Sequence, residues 1–429
     1  MIRNMEELQE FFEERRKLGI QLGLERLDYL LDKVNHPERD LPVIHIAGTN
    51  GKGSTLSYLR QVMMDADYTV GSFVSPGLPT LLDHILLNDQ RIDVEEFLAI
   101  LNDLLPIIYE MDDLELNPSE YEILMVVTLL FFKDNVDIAL IETAMGGRDD
   151  ITNCVQPLLT IITNISYDHT QFLGSTLKDI ATHKGGIIKR NIPVIIGEMH
   201  EEALSVVKET ASKNKSPIYQ YGKEFQATNI RYDEGKQVFV WQSTIDKKVM
   251  EISMLGMHQV HNASLALMAC ELLIEQGFNL QESQLIASFR KASLSYRMEK
   301  ISSNPVVYVD GAHNEAGIQQ FIQTVDKHFL VKDVVIVIGV FKDKSVKRML
   351  ELLKDKFGTI YAMEFKHPRS MKKSDYVALN NQDFIEIIES QSTLYQVIAE
   401  ATKKDKNIIF VGSLHFVSFI KTLLTNSSK

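Results

Sequence analysis

Apolar residues recur in two rhythms along this chain. Short runs rich in Val, Ile and Leu alternate with longer stretches whose apolar residues return at the three- and four-residue spacing of a helix face. The short runs predict strands at Val43–Ala47, Thr69–Phe73, Ile138–Glu142, Leu159–Asn164 and Pro193–Ile196. Between them, helices are expected over Ser54–Asp65, Val94–Ile108, Ser119–Lys133 and Glu201–Asn214. Strand–helix alternation is the mark of a mostly parallel sheet, because parallel neighbours need a long crossover.

The rhythm breaks over Phe225–Ser253, where period-two stretches and an Asp-Glu-Gly turn predict an antiparallel meander on the edge of that sheet. Two helices are expected next, Asn262–Gln276 and Gln281–Lys291. A second alternating set then begins near Arg297, with strands at Val306–Val309, Val334–Ile338, Thr359–Ala362 and Ile408–Val411. The "TNSSK" end is expected to fray. Two α/β domains follow, residues 1–296 with a helical leader over 1–40, and residues 297–429, with the cleft between them as the default ligand site.

Bulk properties narrow the possibilities. A chain of 429 residues exceeds one ordinary core. Its net charge of -13 opposes general affinity for nucleic acid or anionic membranes, both of which need a basic face. Cys154 and Cys270 are the only cysteines, too few for a disulfide framework, which fits a reducing cytoplasm. No apolar run approaches the ~18 residues of a membrane helix, and the charged start "MIRNMEELQEFFEERR" does not resemble a signal sequence.

The chemistry concentrates at strand ends. "HIAGTNGKGST", His45–Thr55, lies between a predicted strand and a predicted helix. Only Thr49 and Asn50 separate Gly48 from Gly51-Lys52, whereas the usual phosphate loop has four residues there. The parts that bind an anion survive this shortening: consecutive amides, a helix N-terminus and a lysine. "IETAMGGRDDITN" ends a strand in Glu142, placed either to hold Mg²⁺ opposite that loop or to cap the strand in solvent. Asp168-His169 stands just past another strand, and Lys184 near a helix end before Gly185-Gly186; neither residue's spacing distinguishes it from a solvated side chain. "VVYVDGAHNEAG" places Asp310 and His313 at a strand end suited to ligand contacts, or forms a plain turn capped by Asn314.

Taken in order, "GLERLDYLL", "HIAGTNGKGST", "SFVSPGL", "ETAMGGRDDITN", "ISYDHTQFLGSTLKDIATHKGGIIK", "MHQVHNASLA", "RME", "VDGAHN", "FKDKS" and "VGSLHF" resemble the folylpolyglutamate synthase and dihydrofolate synthase family of Mur-type ATP-dependent ligases. "GTNGKGS" is that family's own short phosphate loop. The resemblance implies a P-loop-like domain followed by a smaller Rossmann-like domain. It implies that Thr49, Asn50, Gly51, Lys52, Gly53 and Ser54 hold the ATP phosphates, with Asn262, Arg297, Asp310 and His313 as further ATP contacts. It also implies Ser75, Glu142, His169 and Lys184 as ligands or close support for Mg²⁺, two ions in all, with Lys184 carried as a carbamate. The folate pocket would lie around Gly23, Leu24, Glu25 and Arg26 and the loop Asp149, Asp150 and Ile151. The chain departs from the family at Gly77, where Ser-Pro-His is usual, at Asp83-His84 in place of Glu-Arg, in "RDDITN" and at Glu315.

The implied reaction is ATP-driven amide formation, joining L-glutamate to a folate or to dihydropteroate through an acyl phosphate. Lys52, Lys184, His169 and Arg297 are its expected catalytic residues, and the resemblance implies a monomer. Two alternatives share the phosphate loop: a nucleotide switch without ligase activity, and a Mur ligase acting on a cell-wall precursor. The latter usually carries a UDP-binding domain before the loop, where only 47 residues precede Gly48.

Overall fold

The structure, a computed structural model, describes all residues except Ile20, Leu22, Glu234, 380–383 and 427–429. In the first part of the chain the strands are β1 (Val43–Ala47), β2 (Val70–Phe73), β3 (Ile85–Leu87), β4 (Gln90–Arg91), β5 (Ile138–Glu142), β6 (Leu159–Ile162), β7 (Val194–Ile196) and β8 (Ile218–Gln220). The helices are α1 (Met5–Arg16), α2 (Glu25–Lys33), α3 (Lys52–Asp65), α4 (Val94–Asp113), α5 (Glu120–Lys133), α6 (Thr170–Leu173), α7 (Leu177–Gly185) and α8 (Glu201–Asn214). The eight strands form one sheet in the order β4-β3-β2-β5-β1-β6-β7-β8. From β2 to β8 every pairing is parallel, so the carboxyl ends of β2, β5, β1 and β6 open side by side.

The antiparallel edge of this sheet is β3 and β4, which pair with β2 and with each other around Asn88-Asp89. The predicted meander instead forms a sheet of its own, β11-β10-β9, from β9 (Phe225–Asp233), β10 (Lys236–Ser243) and β11 (Lys247–Ile252). Period-two patterning identifies strands but not their partners, and three strands with a buried side are enough to form a separate sheet. Glu234 of the predicted turn and the last three residues of "TNSSK" lie outside the described residues.

Helix ends differ from expectation where local chemistry extends them. Gly51, at φ 86, turns the chain directly into α3, which therefore starts at Lys52 rather than Ser54. In α4 the buried stripe Leu104, Leu105, Ile108 and Met111 continues past the predicted end, and the helix runs to Asp113. Helix α5 is apolar all round and buried from Ile123 to Leu129; a capping box between Ser119 and Glu122 starts it.

After the three-stranded sheet come α9 (Met257–Glu275) and α10 (Glu282–Lys291). The last part of the chain comprises β12 (Glu299–Ser303), β13 (Val306–Asp310), α11 (Glu315–His328), β14 (Val334–Gly339), α12 (Val346–Phe357), β15 (Ile360–Met363), α13 (Lys373–Leu379), β16 (Ile385–Ile388), α14 (Gln391–Lys403), β17 (Asn407–Gly412) and α15 (Leu414–Asn426). Its six-stranded sheet has the order β12-β13-β17-β14-β15-β16, parallel except for β12. The sequence pattern missed the edge strands β12 and β16, which are short and only partly buried.

Two compact units result, one of residues 1–229, 239–250 and 261–291, the other of 230–238, 251–260 and 292–429. Within the first unit, α1, α2, α4 and α5 bury Leu8, Phe12, Leu30, Phe97 and Phe132 in one core with Phe73 and Ile141 of the sheet. A second core gathers Ile162, Ile180, Val194 and Val207. Phe12 is fully buried, its ring 6.4 Å from that of Phe97. Phe12→Ala is expected to lower unfolding free energy by about 3–5 kcal/mol, read as a shifted urea midpoint, because the leader helix would then cover a cavity.

Candidate active site

Three strand ends, those of β1, β5 and β6, build one cleft in the first unit together with the end of α7. After β1 the chain makes the loop Gly48–Gly51, whose shape is held from β6: Thr49 N donates to Asn164 O (3.0 Å), Asn50 N to Asn164 Oδ1 (3.0 Å), and Thr163 Oγ1 to Asn50 O (2.6 Å). Two of the loop's amides are thus already engaged. Anion donors therefore fall mainly to the first turn of α3, Lys52 to Ser54, where helix geometry leaves amides without an intrahelical acceptor. Gly48 is required: a Cβ there would sit 1.9 Å from Thr163 Oγ1, at φ 151. At Gly51 a Cβ would meet Asn262 Oδ1 at 2.3 Å, so Asn262 lies directly against the loop.

Glu142 ends β5 opposite Ile46 of β1, buried, with Lys52 Nζ 3.6 Å from its carboxylate. Asp168 and His169 follow β6, and His169, at φ 49, begins the short helix α6. Lys52, Asp168, His169, Lys184, Gly48 and Thr143 share the lining of one cleft. The structure thus brings together the phosphate loop, His169 and Lys184, with Glu142 ion-paired to the loop's lysine.

Lys184 is buried, its Nζ 2.9 Å from the Gly48 carbonyl, which also accepts from Lys52 Nζ at 3.2 Å. Burial, then the nearby Lys52 charge, pulls the Lys184 pKa down to about 7, with Asp168 and Asp150 opposing. Two close contacts with the loop after β5 put Lys184 there. Arg148 N donates to His183 O (2.7 Å), and a Cβ on Gly186 would lie 2.3 Å from Arg148 Cβ. Gly186 therefore does more than stop α7: it lets the loop after β5 dock on the helix end.

That loop is tied internally by Asp150, which is buried. Its carboxylate accepts from Met145 N (2.6 Å), Thr152 N (3.0 Å) and Thr152 Oγ1 (2.5 Å). Burial raises its pKa, and these donors counter part of the rise. Thr152 Oγ1 in turn meets His45 Nε2 at 2.8 Å. Since the hydroxyl proton goes to Asp150, Nε2 must donate, and the other nitrogen of this fully buried ring has no partner among the described residues. Burial, then Lys189, lowers the His45 pKa to about 3. Of the residues that the family resemblance implies for a folate pocket, Asp150 shapes the loop, while Asp149 pairs with Arg148 and His183. Across from the loop, α2 packs on the 151–154 turn, and Arg26 is ion-paired to buried Glu122 at 3.0 Å and bonded to Gln21 O. Gly23, at φ 104, precedes Leu24, the residue before α2, and Glu25 begins that helix.

Ser75 follows β2, with Tyr121 beside its side chain. In the second unit, Asp310 ends β13 and accepts from Met298 N and Ala312 N, both at 2.9 Å. A Cβ on Gly311 would lie 2.7 Å from Arg297 Nη1, and His313 Nδ1 is 2.8 Å from Gly311 O, so Arg297, Asp310 and His313 gather on one turn. Asn314 caps α11, its side chain accepting from Gly317 N. Sequence reasoning missed Asn164, Thr163, Thr143, His45 and Tyr121; a polar residue just past a strand end was the available signal for the first three.

Two Mur ligase sequence patterns run along the chain, the middle domain over residues 46–270 and the glutamate ligase domain over 296–414. The chain belongs to the Mur ligase family, on its folylpolyglutamate synthase and dihydrofolate synthase branch. It is 33% identical to the dihydrofolate synthase/folylpolyglutamate synthase of Bacillus subtilis, covering 96% of each. It is 27% identical to the folylpolyglutamate synthase of Lacticaseibacillus casei, over 94% of this chain and 95% of the relative. The crystal structure of Mycobacterium tuberculosis folylpolyglutamate synthase complexed with ADP and AMPPCP superposes with a TM-score of 0.88 at 26% identity, covering 98% of each chain. Among the described residues no helix is long and apolar enough to cross a membrane.

The buried His45 makes stability depend on pH with a definite sign. Its folded pKa lies below its ordinary value of 6.5, so between pH 6.5 and about 3 the unfolded chain binds a proton that the fold excludes. Stability therefore falls as pH falls through that window, by up to about 1.4 kcal/mol per pH unit. Urea titrations from pH 6 to 4.5 should give a shallower slope for His45→Gln than for the parent; parallel slopes would show that the imidazole protonates within the fold.

Proposed function

We propose that this protein is an ATP-dependent ligase that adds L-glutamate to a folate, extending tetrahydrofolate with γ-linked glutamates, and that it also accepts dihydropteroate. The observation carrying this reading is the convergence of Lys52 and Lys184 on the Gly48 carbonyl, 3.2 and 2.9 Å away, beside the buried Glu142. Its small-molecule partners are ATP, L-glutamate and the folate, and it works as a cytoplasmic monomer. The working domain division is 1–296 and 297–429.

A carboxylate is a poor acyl donor. In the proposed reaction the folate carboxylate oxygen attacks the γ-phosphorus, the bond to the β-phosphate oxygen breaks to release ADP, and an acyl phosphate forms. The glutamate amine then attacks the acyl carbon, loses a proton and expels inorganic phosphate. The first turn of α3 and Lys52 hold the phosphates and offset their charge. Arg297, Asp310, His313 and Asn262 are assigned to ATP, and Gly23 to Arg26 with Asp149 to Ile151 to the folate.

Among the described residues no group of three or more His, Cys, Asp or Glu side chains forms a metal cluster. Mg²⁺ suits so sparse a set, since it takes one or two carboxylates and otherwise phosphate and water. The buried, unpartnered Thr143 Oγ1 at the cleft wall is a further oxygen available there. Bound Mg²⁺, proposed as two ions, would polarise the γ-phosphate, with Ser75, Glu142, His169 and the Lys184 carbamate as its holders. An amine whose pKa is about 7 is neutral often enough to add to CO₂ near neutrality, and the carbamate keeps one N–H for the Gly48 carbonyl.

A phosphate-release assay with ATP and glutamate, offering tetrahydrofolate, a folate diglutamate and dihydropteroate in turn, tests the substrate assignment. Release that does not require glutamate would indicate a nucleotide switch instead. In the same assay Lys52→Ala should lower turnover by roughly 10²–10³-fold or more; parental turnover would remove the phosphate-loop assignment. With ¹³C-bicarbonate, a carbamate resonance is expected that strengthens as pH rises through 7 at fixed dissolved CO₂ and is absent from Lys184→Ala. A bare amine across that range would refute the carbamate.

A further inference from the structure

The loop from Val74 to Asp83 is closed by one imidazole. Its ends are joined at the Phe73–Ile85 pair and by Val74 N donating to His84 O at 3.0 Å. Inside this closure, His84 Nδ1 lies 2.6 Å from the Val74 carbonyl, and the Gly77 amide lies 3.2 Å from Nε2. A carbonyl can only accept and an amide can only donate, so Nδ1 carries the proton and Nε2 the lone pair. One neutral tautomer satisfies both bonds, and they straddle Ser75-Pro76.

The ring is enclosed. His84 is buried, with Phe73 stacked on it at 5.8 Å and Tyr121 edge-on at 5.4 Å. Tyr121 also lies beside the Ser75 side chain, so the residue packed against His84 also faces Ser75. There is no room for a side chain at 77: a Cβ would meet His84 Cδ2 at 2.5 Å and His84 N at 2.6 Å. The two departures from the family pattern noted in the sequence are therefore one feature. A histidine reaching in from position 84 occupies the space above a glycine at position 77.

We propose that His84 is the positioning residue for Ser75, clamping the backbone on both sides of it, and that glycine at 77 is the companion this clamp requires. The functional half rests on the reading of Ser75 as metal support. A double-substitution cycle tests the pairing. Gly77→Ala and His84→Ala should each lower kcat by about tenfold, with a raised Mg²⁺ requirement and a KM for L-glutamate within about twofold of the parent. The Gly77→Ala/His84→Ala protein should lose clearly less than the product of the two single effects, because the overlaps with the ring at 2.5 and 2.7 Å are gone and only that with the backbone N at 2.6 Å remains; a loss at or beyond that product would overturn the pairing. His84→Asn, whose amide can still donate to the Val74 carbonyl, should recover at least about threefold over His84→Ala. A mere drop in folded fraction with otherwise parental kinetics would make the role structural only and refute positioning.

The unsubstituted protein supplies a readout independent of folding and activity. ¹⁵N spectra of its histidine rings should show His84 with a protonated Nδ1 and an unprotonated Nε2, and the opposite tautomer would overturn the clamp. Ser75→Ala with parental Mg²⁺ dependence would remove the metal reading of Ser75, a failure separate from that of the clamp.

Discussion

Two lysine amines meet at one carbonyl oxygen, that of Gly48, and the first unit is organised around making that meeting possible. Lys52 arrives from the helix that follows the loop, Lys184 from the far end of α7. Two ammonium groups in a buried space repel each other and lack water. The more deeply buried Lys184 responds with a pKa near 7, while Lys52 keeps Glu142 as an ion partner. An amine that is neutral near physiological pH is a nucleophile and a carbamate precursor, whereas one at its ordinary value is neither.

Bringing α7 close enough depends on glycines at contacts rather than at turns. Gly147 and Gly186 let the loop after β5 lie against the end of α7, where any Cβ would overlap backbone or Arg148. Asp150 then ties that loop to itself and, through Thr152, to His45 of β1, next to the phosphate loop. The β6 end does the same for the phosphate loop through Thr163 and Asn164. Each of these two loops is held by a buried polar residue, Asp150 in the loop after β5 and Thr163 just past β6. Such residues are costly to bury unless fully bonded, so where they are bonded they fix the loop closely.

Much of this was legible in the sequence. The strands β1 and β5 and helix α8 lie where the hydrophobic rhythm put them, because buried parallel strands and amphipathic helices write their period directly into the apolar positions. The phosphate loop was readable from its flanking strand and helix despite its short spacing. Sheet partnership was not: the same alternation that identified 225–252 as strands was silent on which sheet they join, and β3, β4, β12 and β16 were too short or too polar to register.

The sequence by itself determined which side chains carry chemistry and at which strand ends they stand, since residue type and period are local properties. Only the tertiary structure decided what those side chains are. Lys184 was indistinguishable from a solvated lysine until burial and Lys52 shifted its proton affinity, and His45 was one more residue of a strand until the fold joined it to Asp150. Gly77 and His84 stood as two unrelated departures until the loop closed and left room for one ring between them. Desolvation, charge proximity and steric exclusion act between residues distant along the chain, so they exist only once the chain has folded.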